Sequence, residues 1–293
     1  LDFNDSWDAV VNPGEGESYF EVHRDKPFEP DAAAYSAVNA WWLAEISRLL
    51  YKQGPGEPEP SRGELTRQAV LATVGLSEIF VSDLQAPFAL ITPPDLRFRI
   101  VAFRGSHNLV NWVTNLDSIL TDCTSGGRVH EGFQKALDPV WERLESLLAT
   151  GLGPLFFTGH SRGAALATLA AARHRQPSQL YTYGSPFVGD EAFVHGMGHV
   201  ARYQVINHRD VVTASPPWTG FRRTGRVHYI SHDGNILVDP TDEEIAADRL
   251  LQDRWKVLRK YAQLQFTEAP APFADHAPIN YVAHLERALL PPP

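Results

Sequence analysis

The stretch Pro154–His174, PLFFTGHSRGAALATLAAARH, decides the reading of this 293-residue chain. It passes from the short apolar run LFFT through Gly159-His160-Ser161-Arg162-Gly163 into an alanine-rich segment of helical composition. Gly-x-Ser-x-Gly between a strand and a helix is the pattern of a strained turn that lifts a serine hydroxyl clear of a sheet edge. The two glycines let neighbouring backbone pass close to the turn, and Ala164 and Ala165 keep the helix near the sheet. The helix N-terminus then points at any negative charge that develops beside Ser161. The plain alternative is a serine that caps the helix and does nothing else.

Outward from this turn the chain alternates strands and helices. On its N-terminal side, IFVSDLQAPFALI (79–91) and LRFRIVAF (96–103) read as extended runs joined through Pro93, Pro94 and Asp95, with RIVAF apolar enough for an inner strand. Glu131–Leu148 reads as a helix. Further upstream, Ala32–Tyr51 reads as a helix burying Trp42, Leu43, Ile46 and Leu50, followed by the Pro/Gly-rich loop KQGPGEPEPSRG and a short helix near Glu64–Val74. On the C-terminal side, QLYTYGSP and RYQVIN are apolar strands leading into polar loops, and HYISHDGNILVD is a hairpin turning at Asp233 and Gly234. Thr241 and Glu244 have capping-box spacing before an amphipathic helix over Asp242–Leu264, and Pro278 suits the first turn of a last helix. This order predicts one α/β domain over 1–293, with 1–77 as an N-terminal helical segment packed on the sheet.

Composition narrows the function. With 43% hydrophobic and 21% charged residues the chain is neither disordered nor collagen-like. A formal charge of −9 gives no positive surface for nucleic acid, and one cysteine, Cys123, allows no internal disulfide. No apolar run is long enough to span a membrane. Leu1–Val11 lacks the basic and apolar regions of a signal peptide, and because the first residue is not Met this says little about secretion.

A serine hydroxyl becomes a useful nucleophile only when a histidine takes its proton and a carboxylate orients that histidine. In α/β hydrolases the chain order is Ser, then Asp or Glu, then His. Asp210 lies in the loop HRDVV directly after RYQVIN, at the carboxyl end of a strand, where open α/β sheets place their ligands. Asp190 competes, but reads better as the cap of the helix EAFVHG. Among the histidines, His208 is too close to Asp210 in the chain, and His228 and His232 belong to a hairpin where they read as solvated. His276, in a loop between two helices, fits best.

These blocks together are recognisable. SDLQAPFALI, IVAFRGS, NLVNWVTNL, VHEGF, FTGHSRGAA, YTYGSPFVGD, VINHRDVV with its following SPP, and DHAPINY occur in the order found in the class 3 lipases, fungal-lipase-like α/β hydrolases, which the chain resembles over roughly Leu43–Leu285. The resemblance implies an α/β-hydrolase fold, a central mostly parallel sheet flanked by helices. It implies Ser161 as nucleophile, Asp210 as orienting acid and His276 as general base. It places Ser106 where the family has an oxyanion-hole hydroxyl, with the backbone N–H of Arg162 as the second donor. Residues 107–116 resemble the family's short lid helix, with Leu109, Val110, Trp112, Val113 and Leu116 as its apolar face; permanent burial in the core is the alternative.

The implied reaction is hydrolysis of a carboxylic ester, most simply an acylglycerol, at a lipid–water interface. A phospholipase A1, a short-chain or aromatic-acid esterase, and a catalytically silent lipid-binding protein on the same fold are the other readings. No metal or organic cofactor is expected, because acyl transfer stores no electrons; a structural calcium ion is compatible with the sequence. Secretion is favoured by the family likeness alone. Two positions depart from the family pattern: Ala164 replaces a frequent glycine, and Arg162 stands where leucine is common. The second puts a charged head beside the turn, where it must find water or a carboxylate.

Overall fold

The computed structural model describes residues 1–14, 18–54, 65–106, 119–151, 153–216, 220–250 and 268–290. Among these, eight strands form one sheet in the order β1 (Ser77–Val81), β2 (Phe88–Thr92), β3 (Arg99–Phe103), β6 (Leu155–His160), β7 (Ser178–Tyr183), β8 (Val200–Asn207), β9 (Arg226–Ile230) and β10 (Ile236–Val238). The inner run from β3 to β9 is parallel, while β1, β2 and β10 attach antiparallel at the two edges. A separate antiparallel pair, β4 (Leu120–Asp122) and β5 (Arg128–His130), lies outside that sheet. The fold is thus the expected α/β-hydrolase sheet.

The inner strands β3 and β6 carry the continuous apolar runs Ile100–Phe103 and Leu155–Phe157 because both of their faces are covered. On β3, Ile100 and Ala102 join one core with Trp41, Leu43 and Tyr281, whereas Val101 and Phe103 join another with Phe133, Leu137 and Leu166. The first core lies under α2 (Ala37–Leu49) and the last helix, α9 (Pro278–Leu289); the second lies under α4 (Glu131–Leu148) and α5 (Arg162–His174). Helix α4 has the expected bounds, and its wide apolar stripe carries Phe133, Ala136, Leu137, Val140 and Leu144.

Local chemistry sets the remaining ends. Ser36 Oγ caps α2 by accepting the Asn39 N–H at 3.0 Å, so the helix starts later than Ala32. Nearly every α2 residue is buried, because α9 covers the side facing away from the sheet. Residues 79–91 divide into β1 and β2 because Asp83 Oδ1 accepts the N–H groups of Gln85 and Ala86 at 2.7 and 2.9 Å, which turns the chain. The Thr241–Glu244 capping box forms, with bonds of 2.7 and 3.1 Å, at the start of α7 (Asp242–Leu250); the rest of the long helix expected to Leu264 lies outside the described residues. The hairpin at Gly234 (φ 83°) and Pro278 at the start of α9 match expectation.

One expectation fails. His228 is not solvated: it is 3% exposed, stacked at 3.6 Å between ring centroids on Tyr35, from the segment leading into α2. Neither of its ring nitrogens has a hydrogen-bond partner. Burial pushes the imidazole down to about 4 from its ordinary 6.5, helped by Arg226 and opposed by Asp239. The unfolded chain therefore takes up this proton first as pH falls, and stability contributed by the neutral ring is lost between about pH 6.5 and 4. In urea unfolding at intervals across that range, His228→Leu should make the decline shallower by up to one proton, about 1.4 kcal/mol per pH unit. An unchanged slope would show that the ring does not titrate in this way.

Candidate active site

The turn between β6 and α5 is as tight as its sequence demands. Ser161 has φ 59° and ψ −130°, a conformation unfavourable for a residue with a side chain. A Cβ on Gly159 would sit 2.4 Å from the Gly163 backbone, and one on Gly163 would sit 2.2 Å from Phe103 O. Both glycines are therefore sites of close approach, the first of β6 to α5 and the second of α5 to β3. The Ser161 N–H donates to Tyr183 O at 2.9 Å, pinning the turn to β7. Its Oγ is buried and, among the described residues, has no hydrogen-bond partner; no cap bond to the helix is made.

Asp210 and His276 meet across 66 residues of chain, the His276 Nδ1–H donating to Asp210 Oδ2 at 2.8 Å. Asp210 is fully buried in the loop after β8, and His276 is 2% exposed between α8 (Ala271–Ala274) and α9. Two further donors fix the carboxylate: the Val212 N–H reaches Oδ1 at 2.8 Å and the Tyr281 hydroxyl reaches Oδ2 at 2.5 Å. Burial, reinforced by Asp210, holds the Tyr281 phenol well above its ordinary value, so it stays a donor. Among the described residues, His276 Nε2 is buried and, like Ser161 Oγ, has no hydrogen-bond partner. This is the arrangement in which an imidazole can take a proton from a hydroxyl while a carboxylate holds its other nitrogen.

A second chain of bonds ties this pair to the serine turn. Buried Tyr51 donates its hydroxyl to His160 Nδ1 at 2.9 Å, and the His160 Nε2–H donates to the backbone oxygen of His276 at 2.7 Å. Burial, and then the neighbouring His276, keep His160 well below the usual imidazole range, so it is neutral. The rings of His160 and His276 lie 4.4 Å apart. Ser106, beyond the end of β3, shares a small pocket with Tyr51, His160, His276, Val10 and Pro13. Arg162 begins α5, where its N–H is free of helix bonding by position.

The other sequence candidates sort cleanly. Asp190 caps α6 (Glu191–Gly196) by accepting the Phe193 N–H at 2.9 Å, as expected. His208 and His232 instead sit around Asp248, at 3.7 and 2.6 Å, and do not join the Asp210–His276 pair. Leu109, Val110, Trp112, Val113 and Leu116, the expected lid face, lie outside the described residues. Tyr281, Tyr51 and His160 were not foreseen as part of the site. Two of the three stood within recognised blocks, but nothing in the sequence links Tyr51 to residues over a hundred positions away.

Three comparisons bear on this geometry. Residues 100–220 match the family described as Lipase (class 3). Over 159 residues the chain is 36% identical to a secreted mono- and diacylglycerol lipase 1 of Fusarium solani, covering 50% of this chain and 47% of the relative. It is 33% identical over 152 residues to a lipase of Rhizomucor miehei, covering 45% and 41%. The chain thus spans less than half the length of these relatives. The crystal structure of a mono- and diacylglycerol lipase from Aspergillus oryzae superposes with a TM-score of 0.57 at 23% identity, over 70% of this chain and 86% of that one, a likeness of fold.

Gly184 offers a direct check on the site. Its φ is 57°, and a Cβ there would lie 2.7 Å from Asp210 Oδ2 and 3.0 Å from the His276 ring. Gly184→Ala should displace the pair, so the far-downfield proton resonance expected of the His276 Nδ1–H should move upfield or vanish from the NMR spectrum. Its persistence unchanged would mean that the contact is looser than described.

Proposed function

We propose that this chain, whose residues 100–220 match the class 3 lipase family, is a serine ester hydrolase acting on acylglycerols. The observation that carries the reading is the pair of buried, unpartnered atoms Ser161 Oγ and His276 Nε2 beside an Asp210–His276 bond of 2.8 Å. Burying two polar groups without partners is costly, and a substrate that engages both removes the cost.

In this reading Ser161 Oγ attacks the ester carbonyl while His276 Nε2 takes its proton, and Asp210 stabilises the imidazolium through the Nδ1 bond. The oxyanion is met by the Arg162 N–H, at the positive end of α5, and by Ser106. His276 then protonates the departing alcohol, and the acyl group remains on Ser161. Water, deprotonated by His276, attacks the acyl-enzyme and restores the serine with release of the carboxylic acid. Tyr281 and the Val212 N–H hold Asp210, and the Tyr51–His160 chain holds the backbone of His276; these are positioning contacts. No helix among the described residues is long and apolar enough to cross a membrane.

A fluorophosphonate probe should label the wild-type protein and fail to label Ser161→Ala, and hydrolysis of mono- and diacylglycerol should fall at least about 10⁴-fold in that variant. Asp210→Asn should lower kcat by a comparable factor, about 10⁴, because the imidazole loses its orienting acceptor. Equal labelling of Ser161→Ala, or no turnover of any ester by folded wild type, would overturn the proposal.

A further inference from the structure

Among the described residues, the buried arginines Arg48, Arg67 and Arg99 each have at least one hydrogen-bond or ion-pair partner for the guanidinium. Arg48 pairs with Glu45 at 3.1 Å and Arg67 with Glu78 at 2.8 Å, while Arg99 donates to the backbone oxygens of Leu148 and Gly153 at 2.7 and 3.2 Å. Arg162 differs. It is half-buried, and among the described residues its guanidinium makes no hydrogen bond and no ion pair. It is also the residue whose backbone N–H stands beside Ser161.

The surroundings show what kind of group would complete it. The register of β2 on β3, with Phe88 opposite Phe103, carries loop 82–87 to the same sheet edge as Ser106, and the Arg104 N–H donates to Pro87 O at 3.0 Å. Asp83 on that loop is the carboxylate whose charge bears on Arg162, yet its Oδ1 is turned to the Gln85 and Ala86 N–H groups and it forms no ion pair with the arginine. Tyr51, which lines the pocket with Ser106 and His276, lies within the field of both Arg162 and Arg104. Burial lowers the Arg162 guanidinium from its ordinary value, with Asp83 and Tyr51 opposing, as for a cation partly stripped of water.

We propose that the Arg162 side chain is a specificity-determining residue that receives an anionic group, phosphate or carboxylate, carried a short spacer away from the scissile ester. The substrate class is then an anionic ester, with a monoacylglycerol phosphate as the glyceride form. One residue thereby has two tasks, the backbone N–H facing the developing oxyanion and the guanidinium facing a charge fixed on the substrate. A guanidinium binds a planar carboxylate or a phosphate in bidentate fashion and does so best where water is scarce. The assignment rests on the ester-hydrolase reading for its catalytic meaning, but the binding it requires does not depend on turnover.

The test separates the two. Short-chain ether analogues, an alkylglycerol phosphate and the matching alkylglycerol, cannot be hydrolysed, and their binding to wild type, Arg162→Leu, Arg162→Lys and Asp83→Asn is measured by calorimetry. The phosphate analogue should bind wild type at least about 10-fold more tightly than the neutral one, which is the scale of one charge-assisted contact. That advantage should vanish in Arg162→Leu, persist in part in Arg162→Lys, increase in Asp83→Asn, and shrink with added salt. Kinetics then locate the anion: kcat/KM for monoacylglycerol phosphate against monoacylglycerol reads the alcohol side, and mono-p-nitrophenyl glutarate against p-nitrophenyl pentanoate reads the acyl side. In Arg162→Leu one of these ratios should fall at least about 10-fold, mainly through KM. Equal binding of the two ether analogues by wild type, or an advantage that survives in Arg162→Leu, overturns the proposal. Arg162-dependent binding with no hydrolysis of any ester by wild type leaves the anion site standing and removes the ester-hydrolase reading instead.

Discussion

The strained backbone of Ser161 is the constraint on which the rest of this structure depends. A residue with a side chain held at φ 59° and ψ −130° persists only if its surroundings over-determine it. Three contacts do so: Gly159 against Gly163, Gly163 against Phe103, and the Ser161 N–H on Tyr183. All three require α5 to press onto the backbone of β3, β6 and β7, and the small residues Ala164 and Ala165 on the first turn permit that approach. The alternating faces of β3 and β6 then have to be filled from both sides, which is what the two large cores do. Sheet, helix and core are in this sense arranged around one unfavourable dihedral pair.

The second requirement is to bring residues far apart in sequence to that turn and hold them. Asp210 comes from the end of β8 and His276 from the loop before α9, so their relation is fixed only when α9 docks on α2. Tyr281, on α9 itself, donates to Asp210 and accepts the Asn207 N–H at 3.1 Å, which couples helix docking to carboxylate position. The Tyr51–His160 chain couples the C-terminal end of α2 to the base from the other side. Burying these groups strengthens each bond but leaves no tolerance for an absent partner. Among the described residues of the site, Ser161 Oγ and His276 Nε2 are the exceptions, and they are the two atoms that the proposed reaction uses.

Much of this was legible in the sequence because it is local. The strand-turn-helix pattern, the cap at Asp190, the capping box at Thr241 and the proline at the head of α9 are all decided by residues within a few positions of one another. Ser161, Asp210 and His276 were singled out for a different reason, each standing in a block whose order along the chain is distinctive; of what that reading expects, the structure holds the Ser161 turn and the Asp210–His276 bond. What was not legible was anything set by packing across the chain. The burial of His228 depends on Tyr35 folding over β9, and a histidine in a hairpin carries no sign of that. Tyr51 stands at the end of a helix that reads simply as apolar, and its bond to His160 exists only because α2 crosses β6.

The N-terminal segment therefore does more than cover one face of the sheet. Helix α1 (Trp7–Val11) joins α8 and the loop around Val212 in a small apolar cluster of Ala9, Val10, Val212, Ala269, Ala274 and Ala277. Its neighbours in that cluster adjoin Asp210 after β8, through Val212, and His276 between α8 and α9, through Ala274 and Ala277. Val10 and Pro13 also wall the pocket that Ser106 and His276 share. The Asn4 N–H donates to Asn280 Oδ1 on α9 at 2.7 Å, and the Asn280 side-chain amide donates back to Asn4 O at 2.8 Å. Residues that begin the chain thus fasten the helix that carries Tyr281, and through it the carboxylate. A sheet of this kind supplies the turn at Ser161 from its own strands, but the orientation of the histidine that must meet that turn is set by segments from both ends of the chain.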